Sequence, residues 1–277
     1  MKRQQMIWKA VVYVLLVGGA SVYLLPLYWL IRSSLMELSQ IFIMPPIWIP
    51  KPFQWGNYAE ALTILPFGRY FINTIIIVVG SVSGVVLTSS LSAFSFARLR
   101  WPGRNIIFGI LLSSMMLPYA VTLIPTFIGW KVVGAIDTYI PLILPAWFGG
   151  GAFNIFLLRQ FYMTIPKELD EAAAIDGANP FRIYSQILLP LTKPALIVVG
   201  LFAFLFFWND FLGPLVYLSS ESNYTLALGL QLFRGMYNSQ WHLMMAASTV
   251  VVTPAIIIFL IGQRYFLEGI ALTGLKG

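Results

Sequence analysis

The residue types that most often perform catalysis or bind metals are scarce in this chain of 277 residues. It contains no cysteine, which excludes thiolate nucleophiles, disulfides and cysteine-ligated metals. His242 is the single histidine, so a histidine metal site or a Ser-His-Asp triad has too few members. No lysine follows a glycine, so the sequence lacks the Gly-Lys-Ser/Thr loop that holds nucleotide phosphates. We therefore predict no catalytic residue, no metal site and no cofactor bound by this chain, and any ATP that drives it must bind a separate subunit.

The short segment Trp208-Asn209-Asp210 is the first candidate for contact with a polar substrate. Asp210 is the one acidic residue inside a long apolar stretch, and an ionisable residue in a membrane is a functional candidate by default. The Trp208 ring suits the apolar face of a sugar, and the side chains of Asn209 and Asp210 suit its hydroxyls. A purely structural role for Asp210 is favoured over contact with a substrate. Asp210 lies about 25 Å along a helix from Lys193, where it reaches outer-side water or braces a helix break before Gly213.

A charged segment, residues 166–192, is the second candidate site. Six charged side chains lie within sixteen residues, from Lys167 to Arg182. Each would cost roughly 2.5–3.5 kcal/mol at the centre of a bilayer, so the segment must lie outside it. Pro166 suits the first position of a helix and Gly177 suits its end, while Asn179 and the proline after it suit the start of another. The segment is therefore predicted to form two short helices.

Both predicted helices carry a contact face. Residues at helical spacing are Leu169, Ala172 and Ala173 on the first helix and Phe181, Tyr184 and Leu188 on the second. The alanines would let another surface come close, and the bulky side chains could fill a groove of a cytoplasmic partner. The alternative is that both helices pack beneath the membrane bundle of this same chain. The residue pattern alone leaves these two possibilities open.

The elements that position these segments are predicted to be membrane helices. The chain is 59% hydrophobic and 10% charged, whereas soluble domains are about 25% charged. A spanning helix needs about 20 apolar residues. Six intervals qualify: 10–31, 70–97, 105–130, 138–158, 194–220 and 235–263. We predict an all-α membrane protein with six transmembrane helices, membrane lipid around it and no nucleic-acid partner, since its basic residues lie in short runs between the spans.

The distribution of the basic residues predicts the orientation of the chain. With both termini on one side, twelve of the seventeen Lys and Arg residues share that side, and the positive-inside rule makes it the cytoplasm. The N-terminal transmembrane helix and external loop would occupy 1–69, and the transmembrane core 70–277. Within that core, 166–192 would be a cytoplasmic loop and 264–277 a cytoplasmic C-terminal tail.

A row of small residues on the second span predicts close helix packing. Gly80, Gly84, Thr88 and Ser92 recur at every fourth position, and small residues at this spacing let helix backbones approach in lipid. The partner helix could belong to this chain or to a second subunit, and the pattern favours neither.

Residues 171–190, EAAAIDGANPFRIYSQILLP, resemble the EAA loop of ABC-importer permeases in residue type and spacing. The positions assigned to this loop are Glu171, Ala172, Ala173, Asp176, Gly177, Phe181, Ile187, Leu189 and Pro190. The segments LPLYWLIRSSL, ARLRWPGR, FFWNDFLGPL and QRYFLEGIALTGLKG resemble the carbohydrate branch of that family, the MalG-like permeases. The resemblance covers nearly the whole chain.

This resemblance implies a function and a set of partners. The loop would be a coupling helix that docks in a cleft of a nucleotide-binding subunit. The implied partners are a second homologous permease in a heterodimer, two ABC ATPases that bind ATP and Mg, and an extracytoplasmic solute-binding protein. The implied substrate is a sugar, oligosaccharide or polyol. The implied location is the cytoplasmic (inner) membrane of a bacterium or archaeon.

Two other functional classes compete with this interpretation. An ion-coupled secondary carrier that works without an ATPase should bury titratable groups along its path, and Asp210 is its single candidate. A membrane enzyme would need a nucleophile and base or a cluster of metal ligands, and none is recognisable in the sequence.

Overall fold

The computed structural model describes residues 2–235 and 240–274, with the side chains of 4–233 and 240–265. Its α-helices are α1 Lys2–Ser34, α2 Leu38–Ile41, α3 Gly56–Ile64, α4 Phe67–Arg98, α5 Arg104–Ser114, α6 Tyr119–Val132, α7 Ile140–Ile143, α8 Ala152–Thr164, α9 Glu168–Ile175, α10 Pro180–Arg182, α11 Leu189–Leu191, α12 Lys193–Trp208, α13 Leu212–Tyr217, α14 Leu226–Gly235 and α15 Trp241–Gly274. Short 3-10 turns lie at Leu144–Trp147 and Glu221–Asn223, and a π-helical segment lies at Ile183–Leu188. The described residues contain no strand, so the all-α prediction is confirmed.

Four to six candidate membrane spans are present in the described part of the chain. Four stretches are long and apolar enough to cross alone: Gln4–Ser34, Phe67–Arg98, Ile140–Thr164 and Trp241–Tyr265. Two pairs of consecutive helices are also apolar enough, but each pair is bent at a short break. If each bent pair crosses the membrane as one span, two further spans are present. Helices α5 and α6 form one such pair, bent by 99°, and Pro180–Leu191 with α12 forms the other, bent by 78°.

The candidate spans at 105–130 and 194–220 each contain a break. Helix α5 ends at Ser114 and Pro118 caps the start of α6, because proline cannot continue a helix through its missing N–H. Helix α12 ends at Trp208, and α13 begins only at Leu212. Charge-free intervals define where a chain can enter lipid, but they do not mark such breaks.

The chain divides into two compact units. The first comprises residues 1–67 and 229–253, and the second 68–228 and 254–277. This division does not test the predicted boundary at 69/70, which stays a prediction. In the first unit, Asn57 donates from Nδ2 to the carbonyls of Ser34 and Met36 at 2.9 and 2.8 Å. Arg32 donates from Nε to the carbonyl of Ile47 at 2.6 Å. The proline-rich loop after α1 is thereby tied to the end of that helix.

In the second unit, the row of small residues on α4 packs against the 140–147 segment of the same chain. A Cβ on Gly84 would lie 2.7 Å from the Trp147 ring, and one on Gly80 would lie 3.0 Å from Ile143. Trp147 Nε1 donates to the Gly80 carbonyl at 3.0 Å, and Thr88 Oγ1 donates to the Ala146 carbonyl at 3.2 Å. A side chain on Gly84 would force the Trp147 indole to shift, so glycine allows this close approach. Ser92 is half-buried, and its packing role stays a prediction.

Asp137 ties two loops together at the N-terminal end of α4. Its carboxylate accepts from the backbone N–H groups of Ser219 and Ser220 at 2.9 Å each, and from the Ser220 hydroxyl at 2.5 Å. These hydrogen bonds, the Ser220 hydroxyl first, hold the pKa of Asp137 well below its usual value. Arg69 at the start of α4 donates to the carbonyl of Ser222 at 2.7 Å. The loop that contains residues 218–224 is therefore fixed at this end of the unit.

Candidate functional site

Helix α9, Glu168–Ile175, has a defined start and end. Glu168, Asp170 and Glu171 lie in its first turn, where negative charge favours the positive end of the helix dipole. At its end Gly177 adopts a φ of 82° and donates to the Ala174 carbonyl at 3.1 Å. The next N–H donates to the Ala173 carbonyl at 2.9 Å. This pair of bonds is a Schellman motif, which requires a left-handed residue where Gly177 stands.

The second helical stretch, residues 180–191, is continuous but not uniform. Asn179 accepts from the Arg182 N–H at 2.8 Å, so the predicted N-cap is confirmed. The chain then passes from α10 through the π-helical segment into α11 and bends into α12. Pro166 was expected at the first position of the helix, but it lies two residues before α9. Lys167 occupies the N-cap and Glu168 the first helical position.

The inner side of this segment packs into the core of the second unit. Ala173 is 8% exposed, and Tyr184 and Leu188 are buried with it. The Tyr184 hydroxyl donates to Ser90 Oγ at 3.1 Å, and Ser90 Oγ lies 2.9 Å from the Tyr162 hydroxyl. These bonds join the segment to α4 and α8. A buried, satisfied polar network of this kind specifies one arrangement of the elements that it joins.

An ion pair also fixes α9 to the end of α4. Arg98 Nε lies 3.4 Å from Asp170 Oδ2, and the two side chains are 4% and 20% exposed. Arg98 Nη2 also donates to the carbonyl of Ile165 at 2.7 Å. The guanidinium therefore contacts both α9 and the turn that precedes it.

Burial and charge act in opposite directions on Asp170. Burial raises the pKa of its carboxyl above the usual value, and the Arg98 guanidinium opposes part of that rise. The net direction is upward because the solvation lost by the carboxylate exceeds the attraction of one partner at 3.4 Å. The ion pair holds α9 in place, although the Asp170 carboxylate loses part of its solvation by water.

The outer side of the segment is exposed and apolar at its centre. Ile175 is 87% exposed and Phe181 is 68% exposed, and Leu169 and Ala172 are exposed as well. Exposed acidic residues surround these side chains: Glu168, Glu171 and Asp176. An apolar patch with a charged rim is typical of a surface that binds another protein. We name Leu169, Ala172, Ile175 and Phe181 the apolar cap.

In the structure, each of the two predicted contact faces is partly exposed and partly buried. Leu169, Ala172 and Phe181 face outward as expected, but Ala173, Tyr184 and Leu188 are buried in the chain itself. For Tyr184 and Leu188 the structure bears out the alternative, that this segment packs beneath the membrane bundle of the same chain. One reason is the π-helical segment, which adds about one residue to a turn and so shifts Leu188 away from the face of Phe181. Ile187 and Leu189 are half-buried and Pro190 is exposed.

Two residues of this site were not recognised from the sequence. Arg98 lies far from Asp170 along the chain, so nothing local could have paired them. Ile175, by contrast, lies three residues after Ala172, and an isoleucine among charged residues near a helix end could have been recognised as exposed. The coupling roles assigned to residues 171–190 stay predictions.

The structure places Trp208, Asn209 and Asp210 at the end of α12. Trp208 is buried, with its ring 6.2 Å from that of Phe71 and 5.3 Å from that of Phe204. Asp210 Oδ1 accepts from the Gly213 N–H at 3.0 Å in the first turn of α13. This geometry is that of a brace at a helix break, the structural interpretation favoured above. Contact of these residues with substrate stays a prediction.

Some sequence predictions concern residues at the edge of the described structure. The backbone of the predicted tail continues α15 to Gly274, and residues 275–277 lie outside the described residues. Among the described side chains, no group of three or more His, Cys, Asp or Glu residues is arranged to hold a metal ion.

Comparison with known families and proteins supports a transport function. The family described as binding-protein-dependent transport system inner membrane component matches residues 84–271. The diacetylchitobiose uptake system permease protein NgcG of Streptomyces coelicolor is 30% identical over 92% of this chain and 85% of that protein. The sn-glycerol-3-phosphate transport system permease protein UgpE of Pectobacterium atrosepticum is 32% identical over 93% of this chain and 94% of that protein.

Solved structures share the fold over nearly the full chain. One chain of a bacterial ABC transporter involved in the import of the acidic polysaccharide alginate superposes with a TM-score of 0.82 at 25% identity, covering 95% of this chain and 98% of that one. A chain from the alginate transporter in complex with its alginate pentasaccharide-bound periplasmic protein superposes with a TM-score of 0.67 at 15% identity, covering 94% and 95%.

Proposed function

This chain belongs to the family of binding-protein-dependent transport system inner membrane components, and from that premise we propose that residues 168–191 couple it to a separate ATPase. The chain is a multi-pass membrane protein and a permease subunit of an ABC importer. This membership favours the ABC importer over a carrier that works alone and over a membrane enzyme.

A carbohydrate or a related polyol is the substrate class that the relatives support. The named relatives and structural neighbours handle diacetylchitobiose, sn-glycerol-3-phosphate and alginate. Their substrates share hydroxyl-rich carbon skeletons but differ in size and charge. The substrate proposed for this chain is therefore a class: carbohydrates and related polyols.

The apolar cap is the single observation that carries the coupling proposal. Ile175 and Phe181 are largely exposed, while Ala173, on the same helix as Ile175, is buried in the bundle. An exposed apolar patch on a helix that is fixed to the membrane bundle can transmit the motion of a docked partner, because the helix cannot move without moving α4 and α8. A rigid-body shift of packed elements is an established mode of switching.

The assembly that follows from this proposal has four kinds of subunit. A second homologous permease would complete the translocation pathway, and two ATPases would bind ATP and Mg on the side of α9. A solute-binding protein would deliver the substrate on the other side. Both termini would then lie in the cytoplasm, since α9 and the basic residues Arg98, Arg100 and Arg104 lie at the same end of α4.

Cysteine labelling tests the docking surface directly, because the natural chain has no cysteine. Ile175→Cys should react with a membrane-impermeant maleimide in the purified permease and be protected when the ATPase subunits are present. Val132→Cys is a matched control, since Val132 is 81% exposed at the end of α6. Equal labelling of Ile175→Cys with and without the ATPases would defeat the docking assignment.

Reconstitution tests the substrate class. The complete complex is reconstituted in proteoliposomes and its ATPase activity is measured. The binding protein is loaded in turn with neutral oligosaccharides, acidic oligosaccharides and polyol phosphates. The correct class of substrate should be the one whose loaded binding protein stimulates the ATPase activity. Ion-driven uptake by this chain alone, with no ATPase present, would instead support the secondary carrier.

A further inference from the structure

The turn between α4 and α5 forms an open-sided cavity that the transport function does not use. Its volume is about 320 Å³, within the range of small-ligand sites. The lining residues are Arg100, Trp101, Gly103, Arg104, Asn105 and Ile106. The cavity lies at the same end of α4 as the ion pair of Arg98.

The positive charge of this cavity is not balanced by the protein. Among the described side chains, the one Lys or Arg within 4.0 Å of a carboxylate is Arg98, and it does not line the cavity. Arg104 Nη1 donates to the carbonyl of Leu99 at 2.7 Å, which fixes that guanidinium at the wall. Arg100 is exposed. Arg159 adds charge of the same sign, close enough to Arg104 for repulsion. Such a cluster favours an anion, and the arginine fork suits phosphate oxygens.

The cavity opens onto an apolar stripe. Ile106 forms part of the lining and is 71% exposed, and Ile110, one turn further along α5, is 66% exposed. Residues four apart share one face of a helix. Helix α5 belongs to a bent pair that is apolar enough to span the membrane, so this stripe runs from the charged cavity toward the hydrocarbon region.

Trp101 indicates the level of the cavity relative to the membrane. Its Nε1 donates to Ser95 Oγ at 3.1 Å, and its ring lies 5.6 Å from that of Phe96. Tryptophan is enriched at the headgroup level of a bilayer, and α5, which begins at Arg104, belongs to a bent pair apolar enough to span the membrane. We therefore expect the arginines to lie at the level of the lipid phosphates.

We propose that Arg100 and Arg104 bind the phosphate of an anionic phospholipid headgroup in this cavity, with an acyl chain along Ile106 and Ile110. Neither a soluble anion nor an acidic protein would use the stripe, because both lack an apolar tail that matches it. The proposal needs only that the chain spans a membrane, so it can fail while the transport function holds.

Lipid retention by the purified complex tests this site. The complex is reconstituted in nanodiscs of phosphatidylglycerol and phosphatidylcholine, extracted in mild detergent and examined by native mass spectrometry. Phosphatidylglycerol should be retained in preference to phosphatidylcholine, and Arg100→Gln should lower its retention about fivefold. Arg104→Lys keeps the charge but loses the planar fork and the hydrogen bond to the turn, so it should lower retention less than Arg100→Gln does. Lys167→Gln removes a charge at the same end, outside the cavity, and should change retention by less than about twofold.

Four results would overturn the assignment. Equal retention of both lipids would exclude a preference for anionic headgroups, and an equal loss in Lys167→Gln would show general attraction rather than a site. Displacement of the lipid by equimolar inorganic phosphate would indicate a soluble anion. Loss of the ATPase subunits in Arg100→Gln, with lipid retention unchanged, would assign these arginines to a protein contact.

Discussion

The Arg98 guanidinium lies 3.4 Å from the Asp170 carboxylate and connects the end of α4 to the first turn of α9. The same side chain donates to the Ile165 carbonyl. One buried cation thus positions the helix that carries Ile175 at its end. The fit between α9 and the membrane bundle depends on this contact and on the buried hydroxyls around Tyr184.

Arg98→Gln should loosen α9, because it removes the ion-pair partner of the Asp170 carboxylate, whose side chain is 20% exposed. The expected loss in the free energy of unfolding is about 1–3 kcal/mol, measured by thermal unfolding of the purified complex. Arg98→Gln combined with Asp170→Asn should recover part of this loss, since the uncompensated carboxylate is then removed. Arg182→Gln, an exposed arginine on the same segment, serves as the control. A double variant less stable than Arg98→Gln alone would contradict the ion-pair argument.

The raised pKa of Asp170 predicts a pH dependence with a defined sign. The folded state binds the proton more tightly than the unfolded chain, whose value is about 3.9. Stability at this site is therefore greatest below that value, falls as the pH rises toward the folded pKa, and stays lower above it. Acidification from neutral pH should increase hydrogen-exchange protection of the α9 amides, after correction for intrinsic rates. Asp170→Asn should abolish this change, and the same change in Asp170→Asn would assign it to another group.

Neighbouring alanines on α9 should respond differently to enlargement. Ala173→Leu places extra atoms in a packed core and should destabilise the chain by about 1–3 kcal/mol. Ala172→Leu adds volume at the exposed surface, so folding and membrane insertion should be normal while ATPase binding weakens. Expression, unfolding midpoint and co-purification of the ATPase separate the two effects. Intact ATPase binding in Ala172→Leu would remove this residue from the docking surface.

Gly84→Ala should destabilise the contact between α4 and the 140–147 segment. Its new Cβ would meet the Trp147 ring at 2.7 Å, and overpacking of this kind costs about 1–3 kcal/mol. Gly18→Ala in α1 is the matched control, because no atom lies within 4 Å of the Cβ it would add. Thermal unfolding in detergent should show a lower midpoint for the first variant only. Equal midpoints would mean that Trp147 moves aside freely.

Asp137→Asn should release the loop at 218–224 while leaving the backbone of residue 137 unstrained. Asparagine tolerates the φ of 62° at this position, but it loses the negative charge that accepts the N–H groups of Ser219 and Ser220. The expected local loss is about 1 kcal/mol, low for a charged acceptor because the site is partly open to water. Faster hydrogen exchange at residues 219 and 220 would report it. In the native chain the same protection should hold at neutral pH and fall in strong acid, since the pKa of Asp137 is lowered.

Membrane embedding, helical class and the position of the charged segment could all be predicted from the sequence. Hydrophobic intervals identify lipid-compatible stretches, and Gly177 and Asn179 identify helix ends because their backbone and side-chain chemistry acts locally. A helix break before Gly213 was expected from the sequence, and α12 does end at Trp208. The 99° bend after Ser114 was not located, since the absence of charge shows the length of an apolar run but not its direction.

Which face of the 168–191 segment is buried could not be predicted. Helical spacing placed Phe181 with Leu188, but the π-helical segment separates them, and such a segment leaves no mark in the residue types. The pairing of Arg98 with Asp170 depends on tertiary structure alone. The sequence could not show for the same reason what packs against the row of small residues on α4. In the structure Trp147 of this chain lies against Gly84.

The 99° bend between α5 and α6 has a consequence for what can surround the chain. Each helix end leaves carbonyl or N–H groups without intrahelical partners, and hydrocarbon tails offer no hydrogen bonds to satisfy them. At the corner the N–H groups of Met115, Met116 and Leu117 donate to the last carbonyls of α5, but the first N–H groups of α6 still need partners from outside the helix. We therefore expect a water-filled cavity or a neighbouring subunit beside the start of α6.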